Sequence, residues 1–153
     1  MTIVIGSSCF KNETRFVHPV SICLYRPKTS ILSDSDCLPC LAPQQELTSA
    51  HYQGTMPREE FASLYFEYIE RIGVRKIIEH LHRNGRTMPV MLGYAANANS
   101  CHRSLLASYL MDNADVIVID VESQGDYDKQ VITLCDKDVT LNPNNVLDNQ
   151  YDS

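Results

Sequence analysis

Short, uninterrupted apolar runs constrain this chain more than any other feature. They lie at residues 3–5, 20–25, 90–94, 116–121 and 131–134, are mostly rich in Val and Ile, and several do not alternate with polar residues. Such runs are expected of strands covered on both faces, as in a sheet between helical layers. Between them lies a strong helical pattern. Phe61, Leu64, Tyr65, Tyr68, Ile69 and Ile72 recur at three- and four-residue steps, and Val74, Ile77, Ile78 and Leu81 continue it past Gly73. The glycine predicts a break between two helices. Thr55 is the expected N-cap, with Pro57, Glu59 and Glu60 in the first turn. A second helix is expected over residues 101–111, with Leu105, Leu106, Tyr109 and Leu110 as its stripe and Asn99 or Ser100 as cap. The order predicts a three-layer, single-domain α/β fold over residues 1–140, with a mostly parallel sheet of about five strands flanked by helices.

Residues 28–54, punctuated by Pro39, Pro43 and Gly54, read as a long irregular excursion. Residues 141–153 read as a polar, acidic tail that frays. No window approaches the ~20 apolar residues of a membrane helix, and the N-terminus carries no basic segment or cleavage signature. These features predict a soluble, cytoplasmic protein that does not engage a membrane, with its six cysteines as reduced thiols. The net charge of -6 falls entirely after residue 119, because residues 1–119 hold 11 basic and 11 acidic side chains. The tail repels phosphate backbones, which excludes a broad nucleic-acid surface there. Arg71, Arg75, Lys76, Arg83 and Arg86 crowd one segment, read first as a solvated helix face.

The chemically suggestive stretch runs from the strand at 90–94 through a loop of small and amide residues to Cys101-His102-Arg103-Ser104. Ligands of α/β proteins sit at the C-terminal edge of the sheet. The first-turn N–H groups of a helix and its dipole favour an anion there. Arg103 offers a planar fork for phosphate or carboxylate, and a cysteine at a helix start is expected to hold more thiolate. Cys101 and His102 are therefore the candidate catalytic pair. Arg103, Ser104, Ser7 and Tyr94 are the candidate ligand-binding residues. Each has a plainer alternative: a small buried thiol, exposed first-turn side chains, or, for Gly6-Ser7-Ser8, an ordinary strand-end turn.

The run Cys101-His102-Arg103-Ser104 followed by Leu105-Leu106-Ala107-Ser108-Tyr109-Leu110 closely resembles the signature of the domain-of-unknown-function 488 family. Upstream, Cys40-Leu41-Ala42-Pro43, the helix-entry run at 52–61 and the strand Ser21-Ile22-Cys23-Leu24-Tyr25-Arg26 are similar to further family segments, so the resemblance spans about residues 2–121. It implies a compact α/β domain whose site is built from Cys101, His102, Arg103 and Arg26. Relatives often carry a cysteine and a glutamate at the strand end, where this chain reads Leu92-Gly93-Tyr94-Ala95.

Other constellations are weaker. Cys37-Leu38-Pro39-Cys40 has half of a zinc-site spacing, but no second pair completes it. His80 and His82 stand two apart on a helix and face different ways. No dinucleotide loop is present, so the residues call for no metal or cofactor. Two functions stay open ahead of a third, a redox-sensitive protein using several thiols. One is an enzyme on a small phosphorylated or nucleotide-like anion, although the spacing does not match the Cys-five-residues-Arg loop of cysteine phosphatases. The other is a catalytically inactive binding protein that contacts a macromolecule through the acidic tail or the Arg71 to Arg86 segment.

Overall fold

The computed structural model describes residues 1–94 and 102–136. Strands β1 (Ile3–Cys9), β2 (Pro19–Ser21), β3 (Val90–Gly93) and β4 (Val116–Asp120) form one sheet in the order β2-β3-β1-β4, with every pairing parallel. Helices α1 (Gln45–Tyr52), α2 (Arg58–Ile72), α3 (Val74–Leu81), α4 (His102–Asn113) and α5 (Gln124–Asp136) surround it. Strand alternation separates two cores. Ile5, Met91 and Val116 face Tyr65, Ile69, Ile77, Leu81, Leu106 and Leu110 of α2, α3 and α4. Val4, Val90 and Leu92 face Phe10 and Phe16 of the turn after β1 and Tyr127 and Val131 of α5. The fold is the expected three-layer α/β arrangement, with four strands among the described residues instead of about five.

The missing strand is a correction. Residues 131–134 lie inside α5, where Tyr127 and Val131, one helical turn apart, are both fully buried against the sheet. The Ser123 hydroxyl accepts the Asp126 N–H at 3.2 Å and caps the start of this helix. The run at 20–25 is strand only over β2, because the chain then leaves the sheet; a single bridge from Ser21 to Cys37 covers its outer side. Gly6-Ser7-Ser8 is not a turn: β1 continues through it to Cys9. Thr55 does not cap α2, which begins after Pro57; its hydroxyl instead donates to the Ala50 carbonyl at 2.9 Å. The excursion at 28–54 contains α1 and short 3-10 turns. Gly73 does separate α2 from α3, at φ +90°, a backbone region that favours glycine.

Arg86 leaves the basic segment. Arg71, Arg75, Lys76 and Arg83 are exposed, but Arg86 is buried and binds the excursion to the end of α3. The thiols of Cys9, Cys23, Cys37, Cys40 and Cys135 form no disulfide. Among the described residues, no helix is long and apolar enough to cross a membrane. The acidic tail at 141–153 lies outside the described residues.

Gly6 tests how tightly the second core is closed. A Cβ there would stand 2.9 Å from both Tyr127 Cε2 and Val90 Cγ2. Gly6→Ala should therefore cost about 1–3 kcal/mol by overpacking, read as a lower urea midpoint at unchanged slope.

Candidate functional site

The C-terminal edge of the parallel sheet carries two cavities, one on each side of the start of α4. His102 lines the first and Arg103 the second. Consecutive helical residues point about 100° apart, so one turn can serve both.

The first cavity, of about 330 Å³, is aromatic. Tyr25, Tyr52, Phe61 and Tyr94 contribute to its walls, with His51, Arg58 and His102. The Tyr94 hydroxyl donates to the Tyr25 carbonyl at 2.8 Å, and its ring packs 5.1 Å from that of Phe10. Burial pushes the Tyr94 phenol above its usual range, with a smaller contribution from Cys23. The Arg58 guanidinium lies 5.9 Å over the Phe61 ring and donates to the Ser104 hydroxyl at 3.3 Å. His102 is buried, with its Nε2 2.7 Å from the Ile22 carbonyl and its ring edge-on to Tyr65. A carbonyl only accepts, so Nε2 carries the proton and Nδ1 does not. Burial pulls the imidazole from 6.5 to about 4; the Ile22 hydrogen bond opposes this, and Arg103 and Arg58 reinforce it. His102 is therefore uncharged at neutral pH.

The second cavity, of about 500 Å³, is polar. Ser7, Ser8 and Asn12 line it, with Lys11, Arg15 and Arg103 facing Asp120, Glu122 and Asp126. Arg103 is only 1% exposed and Ser7 2%. The Ser7 hydroxyl oxygen is buried and has no hydrogen-bond partner among the described residues. Buried hydroxyls are normally paired, so an unpaired one on a cavity wall points to something that completes it.

The expected site residues are thus divided. Tyr94 and His102 share the aromatic cavity, with Ser104 behind its arginine, while Ser7 and Arg103 share the polar one. Arg26 lines neither: it sits at the surface, 3.0 Å from Asp34, and donates to Cys37 Sγ at 3.4 Å. That thiol contact, ahead of the nearby Asp34 charge, raises its pKa further. Cys101 lies outside the described residues. Arg58, Lys11 and Arg15 went unnoticed in the sequence, since each comes from a segment distant from residues 101–104 and no spacing joins them. Among the described residues, no three His, Cys, Asp or Glu side chains are grouped to hold a metal ion.

The family model for Domain of unknown function DUF488 matches residues 28–110, more than half of the chain. The chain belongs to this family. No curated protein and no solved structure matches it. The DUF488 match takes in α1 to α3, β3 and most of α4, and with them Tyr94, His102, Arg103 and Ser104. Ser7 and Arg26 fall before it, so the polar cavity joins a DUF488 side chain, Arg103, to strands outside the matched region.

Proposed function

We propose that the chain binds a small phosphorylated or nucleotide-like anion in the polar cavity beside the start of α4. One observation carries this reading: Ser7 and Arg103 are both buried at the wall of the same cavity, and the Ser7 hydroxyl lacks a partner among the described residues. A guanidinium and a hydroxyl donate together to one oxyanion. Lys11 and Arg15 at the rim join Arg103 as three cations, matched in number by Asp120, Glu122 and Asp126. That balance favours a ligand with one anionic group and several hydroxyls over a polyanion, because the carboxylates accept from hydroxyls and repel further negative charge.

Titration with inorganic phosphate and ribose 5-phosphate, followed by NMR, tests the reading. Both should bind the natural chain, ribose 5-phosphate the more tightly. Arg103→Met should weaken both by about 10- to 100-fold, as expected for losing a charged hydrogen bond. Ser7→Ala, a small change that keeps the strand, should weaken them several-fold. No shift with phosphate in the natural chain, or unchanged binding in both variants, overturns the proposal.

An enzymatic form of this reading makes Cys101 the nucleophile. The uncharged His102 suits accepting a hydrogen bond better than carrying a proton at neutral pH. Turnover of a panel of nucleotides and sugar phosphates that disappears in Cys101→Ser supports catalysis; retained turnover in that variant excludes Cys101 as the nucleophile.

A further inference from the structure

We infer, resting on the oxyanion reading of the polar cavity, that its ligand is a small phosphorylated aldehyde and that the Cys9 thiol adds reversibly to the carbonyl carbon. Cys9 lines this cavity together with Ser7, Ser8 and Asn12, and is only 6% exposed. It closes β1 two residues beyond Ser7, and alternate residues of a strand share one face. A thiol on a wall is not by itself a site. The independent sign of a ligand is Ser7, whose buried hydroxyl on the same wall lacks a partner among the described residues. Two strand residues span about 7 Å, which is the reach of a short carbonyl compound held by its phosphate at Ser7.

The surroundings of the sulfur suit this addition. The Asn12 amide donates to Cys9 Sγ at 3.8 Å and to the Ser8 hydroxyl at 3.2 Å. An N–H donor beside the attacking atom can turn to the oxygen that gains charge. On one flank the register partner of Cys9 is Gly93, which has no side chain to crowd the thiol; on the other, β4 ends at Asp120, opposite Ser7. Asp120, Glu122 and Asp126 accept from the hydroxyls of a polyol chain, and the electrophilic carbon of such a chain is its aldehyde. In the addition the C–S bond forms, the carbonyl π bond breaks, and the thiol proton ends on the former carbonyl oxygen. The product is a thiohemiacetal. No oxidant, reductant or further reactant takes part, and the ligand keeps its charge.

Carbon-13 NMR of the full chain with glyceraldehyde 3-phosphate, labelled at the aldehyde carbon, tests the step directly. The natural chain should show a thiohemiacetal resonance that saturating phosphate suppresses, and Cys9→Ala should lose it. Calorimetric titration should give glyceraldehyde 3-phosphate ~10-fold or more the affinity of glycerol 3-phosphate, which has the phosphate and no carbonyl. That difference should vanish in Cys9→Ala and shrink in Cys9→Ser, which keeps a small polar side chain but a poorer nucleophile. Glyceraldehyde without phosphate should form ~10-fold less adduct at equal concentration. Binding of glycerol 3-phosphate with no adduct overturns the inference and leaves the oxyanion reading standing, whereas failure of both phosphates to bind overturns the two together. A phosphate-sensitive adduct retained in Cys9→Ala, or one formed as readily by glyceraldehyde, also overturns it.

Discussion

Replacing Arg86 by alanine should destabilise the fold by about 3–5 kcal/mol, the scale at which removing one partner of a buried ionic contact is felt. Its guanidinium is 3% exposed as a residue and saturates several acceptors at once. Nε donates to the Leu81 carbonyl at 2.8 Å and Nη2 to the His80 carbonyl at 2.6 Å, at the end of α3. Nη1 reaches the Ser35 carbonyl at 3.3 Å and the Asp36 carboxylate at 3.0 Å. Truncation strips a helix end of donors in a place water does not reach, and it also releases the excursion from α3. The expected thermal midpoint falls on the order of 10 °C. Arg86→Lys keeps the charge but cannot reach four acceptors in one plane, so it should recover less than half of the loss. A midpoint within a degree or two of the natural chain would mean that the excursion is held by other contacts.

Acidification should act through His102. Its value falls from 6.5 in the unfolded chain to about 4 in the fold. Between those two values the unfolded chain binds the proton that the native imidazole refuses. Stability therefore declines as the pH drops through this window and is fully present above 6.5. The expected contribution is about 3 kcal/mol over the whole window. His102→Gln places an amide nitrogen near the Ile22 carbonyl and does not titrate. Its stability measured by urea unfolding should be flatter than that of the natural chain between pH 6.5 and 5, where most carboxylates are still ionised. Parallel profiles for the two proteins would show that the imidazole is protonated in the fold, contrary to its burial.

Much of the architecture could be read before any coordinates. Residues 3–5, 90–94 and 116–121 are strand-like because they lack alternation; they form β1 and β3, buried almost throughout, and the edge strand β4, which is mostly half-buried. Residues 131–134 share that strand-like run, with Val and Ile in succession, yet burial along one helical face decides their structure. Tyr127 and Val131 at an i, i+4 spacing, behind Ser123 with Asp126 three residues on, carried the helical signal. The Cys-His-Arg stretch located the sheet edge where the cavities lie. It could not divide His102 from Arg103, because which wall each side chain meets depends on how α4 is rotated against α2 and the sheet. Ser7 was legible as a candidate wall residue after the first apolar run, although it lies within β1 and not in a strand-end turn. Arg58 was not, since only the packing of α2 beside α4 brings it to Ser104.

The three-residue length of β2 has a bearing on self-association. An open strand edge invites another chain to extend the sheet, and natural proteins block it with proline, short strands or covering segments. Here the outer margin opens on Pro19, lasts only to Ser21, and is capped by the Leu38 N–H bonded to the Ser21 carbonyl at 2.8 Å. Recruitment of a foreign strand on that flank is sterically and chemically closed, which leaves the opposite flank, beyond Val116–Asp120, as the place where any β-mediated polymerisation of the described domain would start.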